Sequence, residues 1–329
     1  MSLNGQSILV TGAGGFIGSH LTERLVEHGA RVRAFIHYNS RNDPGLLSHL
    51  PETVLEKVEI RAGDLRDPQA IRAAVKNTSI VFHLGALISI PYSYRHPYEV
   101  AETNLMGTMN VLEACRELEI SRLVHTSSSE VYGTALQVPI SEDHPLQGQS
   151  PYSASKIGAD KLVESFYCAY DLPVVTVRPF NTFGPRQSDR AVVPTIITQA
   201  LTKEKIFLGN IQARRDLTYV ADTVDGFLKA AIVEDIEGQV FNLGTGMEVS
   251  IEELAKRVQA QVGKEVVVEV DPDRLRPDRS EVQRLVADSS KARQVLGWEP
   301  KLSLDEGLKR TVDWIRENIG SYQVGRYQF

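Results

Sequence analysis

Cysteine is nearly absent. The 329-residue chain holds two, Cys115 and Cys168. Both fall in apolar-periodic stretches that read as helical, so two buried thiols of a reducing compartment are expected, with neither a disulfide nor a metal site. No apolar run approaches the ~20 residues needed to span a bilayer, and residues 1–6 lack the charged-then-apolar pattern of a secretory signal. A cytoplasmic location and no membrane partner are expected. Blocks of like charge are also missing. The net charge of -6 comes from 36 basic and 42 acidic residues spread along the whole length, which argues against a nucleic-acid partner. It does not exclude an anionic substrate, because local arginines still bind phosphate. The 42% hydrophobic and 24% charged residues leave an ordinary globular composition, with length for one large domain or two smaller ones.

What the chain does have is alternation. Short apolar runs at 7–11, 32–36, 58–62, 80–84, 122–126 and 174–177 read as strands. Between them, Ile17, Leu21 and Leu25 recur at helical spacing and stop at Gly29. Residues 67–75 are helical, with Asp67 as N-cap and Pro68 in the first turn, and 98–118 and 153–170 read as long helices. Such alternation implies right-handed crossovers and a parallel sheet covered on both faces. This is a doubly wound α/β domain that binds ligands beyond the carboxyl ends of its strands.

After Pro179 the rhythm changes, and arginines gather in Arg186, Arg190, Arg214 and Arg215. Helices return at 251–262, 289–296 and 304–319, and the segment reads as a smaller α/β lobe. Residues 1–178 with about 217–243 are the expected dinucleotide-binding domain, and Val240–Leu243 is expected to return to it. About 179–216 with 244–329 are the expected substrate lobe.

Thr11-Gly12-Ala13-Gly14-Gly15-Phe16-Ile17-Gly18 joins the first strand to the first helix. Gly12 allows the tight turn, Gly15 lets backbone approach a pyrophosphate, and Gly18 lets helix and strand pack closely. The helix N-terminus then offers free N–H groups to the phosphates. This predicts a nicotinamide dinucleotide cofactor. The second strand should end in Asp or Glu if NAD is preferred, but it reads Phe35-Ile36-His37-Tyr38-Asn39-Ser40-Arg41. His37 and Arg41 either meet a 2′-phosphate or are plain loop residues, so NAD and NADP stay open. Asp64 is placed for an adenine amino group or for capping the turn before Asp67.

Tyr152 and Lys156 stand four residues apart at the start of a helix and therefore share a face. The ammonium, with the nicotinamide charge, favours phenolate and suits Tyr152 to take a proton from a hydroxyl as hydride leaves the same carbon.

With these residues in view, the chain resembles the extended short-chain dehydrogenase/reductases that act on nucleotide sugars. The resemblance covers almost the full length. It rests on residues 11–18, His83-Leu84-Gly85-Ala86, Asn104, residues 127–133, Tyr152-Ser153-Ala154-Ser155-Lys156, Arg178-Pro179-Phe180-Asn181, Arg215-Asp216 and Arg276-Pro277. It implies a Rossmann-type domain with Tyr152 as catalytic base, Lys156 as its electrostatic partner and Ser128 polarising the sugar oxygen. The implied cofactor contacts are Gly12, Gly15, Phe16, Ile17, Gly18, His37, Asp64, Leu65, Leu84, Ala86, Asn104, Tyr152 and Lys156. For the substrate diphosphate it implies Asn181, Arg215 and Arg276, with Arg186 a weaker candidate; the plain alternative is a surface ion pair, such as Arg215 with Asp216. Val192-Val193-Pro194 lies where relatives hold the base, and 88–93 lines the sugar pocket.

Glu130 separates the subfamilies. Epimerases of this family usually have no carboxylate before Val-Tyr-Gly, whereas 4,6-dehydratases do. Ser129 occupies the place of the aspartate in dehydratases of thymidine-diphosphate glucose. That wording is closer to GDP-mannose dehydratases and to the GlcNAc-nucleotide dehydratases of legionaminic acid synthesis. The resemblance therefore implies a 4,6-dehydratase acting on a UDP- or GDP-GlcNAc-type sugar. The acid toward the C6 hydroxyl is open between a Glu130 relay and a water. A C4 epimerase, a UDP-glucuronate decarboxylase and a cofactor-sensing binding protein are the alternatives. In relatives the helices matching 98–118 and 153–170 pair across a homodimer as a four-helix bundle. Val111, Leu118, Leu162 and Phe166 serve either the sheet or such a partner.

Overall fold

Seven strands form one sheet in the computed structural model, which describes residues 2–324. They are β1 (Ser7–Thr11), β2 (Arg31–His37), β3 (Val58–Gly63), β4 (Ile80–His83), β5 (Arg122–Thr126), β6 (Val174–Pro179) and β7 (Val240–Leu243). Their spatial order is β7-β6-β5-β4-β1-β2-β3, and every pairing is parallel. Strands buried on both faces read as continuous apolar runs, and β4 is buried at all four residues. The order reverses between β1 and β4, which opens a crevice above their carboxyl ends.

Helix α1 (Phe16–Glu27) follows β1, and α2 (Pro68–Val75) follows β3. The Asp67 carboxylate accepts from the N–H groups of Gln69 and Ala70, as an N-cap should. The expected helix over 98–118 is not regular. It begins as Pro97–Ala101, passes through a π-turn at Glu102–Met106 and continues as α3 (Gly107–Glu117). The extra residue of the π-turn pushes Asn104 inward, where it is buried. Helix α4 (Pro151–Tyr170) starts two residues earlier than expected, because Ser150 and Ser153 form a capping box with Pro151 in the first turn.

Two helices were not foreseen, α5 (Val192–Thr202) and α6 (Val220–Ile232). Helix α5 is buried without a break from Val193 to Ala200 and so lacks the one-sided apolar stripe by which a surface helix is recognised, whereas α6 keeps a stripe at Ala221, Asp225 and Lys229 outside the core. Helix α6 packs against β5, β6 and α1. The C-terminal part of the chain adds α7 (Ile251–Val262) and α8 (Leu304–Glu317), each opened by a Ser–Glu capping box. The expected helix at 289–296 is a short turn ending in the π-segment Ala292–Leu296, and Ile319 falls in a separate 3-10 turn.

Val111 and Phe166 are buried in one cluster with Leu9, Val81 and Leu123, so they serve the sheet, while Leu118 and Leu162 lie at its margin. Cys115 is buried as expected. Cys168 is not: it is exposed, on the outer face of α4 with Lys161, Glu164 and Ser165. Among the described residues no helix is long and apolar enough to cross a membrane.

Candidate active site

The glycine loop is fixed by two contacts and left open at a third. Gly12 has φ +70, and a Cβ there would lie 2.7 Å from the Gly85 nitrogen. A Cβ on Gly18 would collide with the Gly12 carbonyl. Gly15 is exposed, and its nearest obstacle is the Gly12 oxygen at 3.2 Å. Gly15 is also the N-cap of α1 and supplies no side-chain acceptor. The first turn of α1 thus keeps N–H groups for an anion, as a pyrophosphate requires.

Around the loop, the Gly85 N–H donates to Thr11 Oγ1 at 3.1 Å, and Thr11 Oγ1 meets His83 Nδ1 at 2.8 Å. Asn104 clamps the next segment: its Oδ1 accepts from the Leu87 N–H at 2.8 Å, and its Nδ2 donates to the Leu87 carbonyl and Ser155 Oγ, both at 2.9 Å. Its amide is therefore committed to the protein, and it orients the cofactor loop and α4 from behind. Leu65 packs against Gly107 and Gly85, and Leu84, Ala86, Phe16 and Ile17 are half-buried beside the loop. Asp64 is engaged by Arg66, whose Nη2 donates to Oδ2 at 2.6 Å and whose backbone N–H donates to Oδ1. Those bonds hold its carboxyl down at about 2. His37 is exposed at the end of β2, and Arg41 lies in an exposed loop folded around the Asn39 side chain.

The Tyr152 phenol is buried and hydrogen-bonded to Ser128. Lys156 Nζ donates to the Thr126 carbonyl at 2.7 Å. Burial pulls the ammonium down to about 8, opposed by the Asp160 carboxylate. The phenol goes the other way from the sequence expectation: burial pushes it up to about 12, and the charges of Glu130 and Asp160 add to the rise. In the protein alone, desolvation outweighs any help from the neighbouring ammonium.

Glu130 lies in the 3-10 turn Ser129–Tyr132, which Ser128 caps by accepting the Glu130 N–H at 3.2 Å. The carboxylate is half-buried, and its charge acts on both Tyr152 and Arg215. The Arg215 guanidinium is buried, with Nη1 donating to the Arg214 carbonyl at 2.9 Å and Nη2 to Glu281 at 3.4 Å. Burial lowers its pKa, and the nearby Arg276 charge adds to the effect. Asn181 Nδ2 and Arg276 Nη1 are buried without a protein partner. A buried donor left unpaired costs about 1–3 kcal/mol, and a diphosphate would satisfy both.

Two of the expected pairings differ. Asp216 does not pair with Arg215; it is buried and accepts from the Thr245, Gly246 and Ala287 N–H groups. Arg186 belongs to another group: its Nη2 donates to Glu23 of α1 at 2.6 Å, and its charge acts on His20. The loop carrying it turns back onto the first helix, and its Nε and Nη1 are buried without a protein partner, like the donors of Asn181 and Arg276. Beyond the expected residues, Glu281 joins Arg215 from 66 positions away, and no local motif announces it. Tyr94 OH meets Ser280 Oγ at 2.6 Å, and Ser280 Oγ donates to the Gln149 carbonyl at 2.6 Å. These bonds tie the segment carrying Arg276 and Glu281 to the entry of α4.

The chain belongs to the family described as GDP-mannose 4,6 dehydratase, whose sequence profile matches residues 9–311. Within it the chain is similar to both dehydratases and 4-epimerases of nucleotide sugars. It is 36% identical to a UDP-glucose 4-epimerase of Mycolicibacterium smegmatis over 94% of this chain and 98% of that protein. It is 30% identical to the dTDP-D-glucose 4,6-dehydratase of Mus musculus over 96% and 90%. The solved structure of MoeE5 in complex with UDP-glucose and NAD superposes with a TM-score of 0.84 at 31% identity, covering 95% of this chain and 99% of that one.

Proposed function

We propose that the chain is a nucleotide-sugar 4,6-dehydratase, working on a UDP- or GDP-linked GlcNAc-type sugar to give a 4-keto-6-deoxy product. The observation that carries this reading is Glu130, a carboxylate between Tyr152 and Arg215, where an epimerase has no use for a second base. Asn181, Arg215 and Arg276 bind the diphosphate. Tyr152, hydrogen-bonded to Ser128, takes the proton of the C4 hydroxyl, and the Lys156 ammonium steadies the phenolate. The glycine loop and the first turn of α1 would hold the dinucleotide, which would supply a reversible hydride acceptor for C4 and C6 and a positive charge opposing the burial of the phenol. The C4 ketone makes the C5 proton acidic, and the Glu130 carboxylate accepts it. The C6 hydroxyl leaves as water, its proton coming from Glu130 or a bound water, because Ser129 offers no carboxyl; as hydride returns to C6, C5 takes a proton from water and Tyr152 releases the one it took from the C4 hydroxyl.

A second reading, C4 epimerisation, is favoured by the 36% identity to the mycobacterial epimerase. Incubation with UDP-, GDP- and dTDP-sugars followed by mass separates the two. Loss of about 18 Da, one water, supports dehydration; an unchanged mass with a new sugar peak means epimerisation. Loss of carbon dioxide means decarboxylation. Nucleotide released from the purified protein identifies NAD or NADP. We also infer a homodimer through the helices over 97–117 and 151–170, where Tyr98 and Met106 are exposed; light scattering on Met106→Glu tests it.

A further inference from the structure

The helix carrying Tyr152 and Lys156 presents a third ionisable residue on the same face. Asp160 follows Lys156 by four residues, as Lys156 follows Tyr152. It is buried, and both oxygens are engaged. Oδ1 meets His125 Nε2 at 3.2 Å. Oδ2 accepts from Ser127 Oγ at 2.8 Å and from Arg178 Nη2 at 2.9 Å. With Lys156 bound to the Thr126 carbonyl, residues 125, 126 and 127 are each tied to α4. The next residue is Ser128, whose hydroxyl meets Tyr152. Arg178 also donates to Tyr132 OH at 2.8 Å, and that hydroxyl donates to Asn242 Oδ1 on β7 at 2.7 Å. The carboxylate is thus braced from β5 and β6, and through Tyr132 from β7.

The charge count points the same way. Lys156 and Arg178 are buried cations, and burial holds His125 and His83 toward the neutral form. The other groups around Asp160 are Tyr132 and Glu130 after β5 and Tyr152 on α4. Glu142, His144, Lys161 and Glu164 line a pocket on its outer side. Removing the carboxylate would leave two buried cations without a counter-charge between them, an arrangement that drives deprotonation of the one able to lose a proton. That one is Lys156, because a guanidinium does not deprotonate.

We propose that Asp160 is a positioning residue for the catalytic pair: it fixes the end of β5 against α4 so that Ser128 reaches Tyr152, and its charge keeps the buried Lys156 ammonium protonated. The inference rests on tyrosine–lysine chemistry common to dehydratase and epimerase. It stands whichever of those readings holds, and its test reads a step that precedes their divergence.

The test compares Asp160→Asn, Asp160→Glu, Ser127→Ala and Arg178→Gln in the full chain. The first readout is the pH profile of C4 oxidation, followed as reduced dinucleotide. The second needs no turnover: the Lys156 signal of 13C-lysine-labelled protein, identified by its loss in Lys156→Arg, is titrated directly. In Asp160→Asn both pH limits and the Lys156 midpoint are expected to move down by about one unit, because loss of a negative charge lowers every neighbouring pKa. Asp160→Glu and Ser127→Ala should keep the limits while lowering the rate. Arg178→Gln, which removes a cation and spares the carboxylate, should move them up. A lower rate in Asp160→Asn with unmoved limits and an unmoved Lys156 midpoint would make Asp160 merely structural and overturn the proposal. If Asp160→Asn does not fold, unmoved limits in Arg178→Gln overturn it equally.

Discussion

Gly12 and Gly15 sit three residues apart in one loop, and the structure gives them opposite sensitivities to a single methyl group. At Gly12 an alanine would hold φ +70 and bring its Cβ to 2.7 Å from the Gly85 nitrogen and 2.8 Å from the Gly85 Cα. The left-handed conformation costs an L-residue about 1–2 kcal/mol, and overpacking against backbone adds about 1–3 kcal/mol. At about 2 °C per kcal/mol for a chain of this size, Gly12→Ala should melt about 4–10 °C below the parent. At Gly15 φ is -85, which alanine adopts freely, and the nearest atom is 3.2 Å away. Gly15→Ala should melt within about 2 °C of the parent, yet its methyl occupies the face where a pyrophosphate would rest, so dinucleotide affinity should fall at least tenfold. Differential scanning fluorimetry and isothermal titration with NAD and NADP read the two quantities separately. The reasoning is refuted if Gly15→Ala binds dinucleotide as tightly as the parent, or if the two variants melt alike.

Glu130→Gln should retain cofactor binding and the absorbance change of C4 oxidation while releasing no 4-keto-6-deoxy product; elimination at the parental rate sinks the role given to Glu130. Arg276→Gln removes a charge-assisted bond worth about 1.5–3 kcal/mol, so KM should rise about ten- to a hundredfold, and Asn181→Ala should raise it about fivefold; steady-state kinetics decide. The Lys156 ammonium loses its proton near pH 8 in the folded chain, against 10.5 ordinarily. Between those values the unfolded chain binds the extra proton, so this group makes stability rise with pH from about 8 to 10.5. Urea titrations across that range should show the rise in the parent and lose it in Lys156→Met.

Much of the site lies in local spacing and was legible for that reason. The glycine loop, the Tyr152–Lys156 pair and the Ser128–Glu130 turn are each defined within eight residues of chain. Asp160 was equally within reach, since the helical step linking Tyr152 to Lys156 reaches it when taken once more. Other features depend on distance in sequence. Glu281 meets Arg215 across 66 positions, and Tyr94 meets Ser280 across 186. The contact of Arg186 with Glu23 depends on a loop that folds back across 163 positions. Helix α5 escaped because burial from Val193 to Ala200 removes the polar face that marks a helix; α6 keeps such a face at Ala221, Asp225 and Lys229 and was within reach. The rise in the Tyr152 pKa was hidden for a related reason: a motif shows the neighbouring lysine and not the burial that outweighs it.

The π-turn at Glu102–Met106 also restricts how this chain can change in length. Such a turn is a helix with one residue more than regular pitch requires. Deleting one residue there would let the segment relax into an ordinary α-helix while the turns on either side keep their register, so Thr108, which meets His83 at 3.1 Å, and Val111, buried under the sheet, would stay on their partners. The local loss would be the hold of Asn104 on Leu87 and Ser155. A deletion in the regular turns that follow has nowhere to be absorbed and rotates one side of the helix by about 100° relative to the other. A library of single-residue deletions along this helix should therefore keep folded protein within 102–106 and lose it across 107–117.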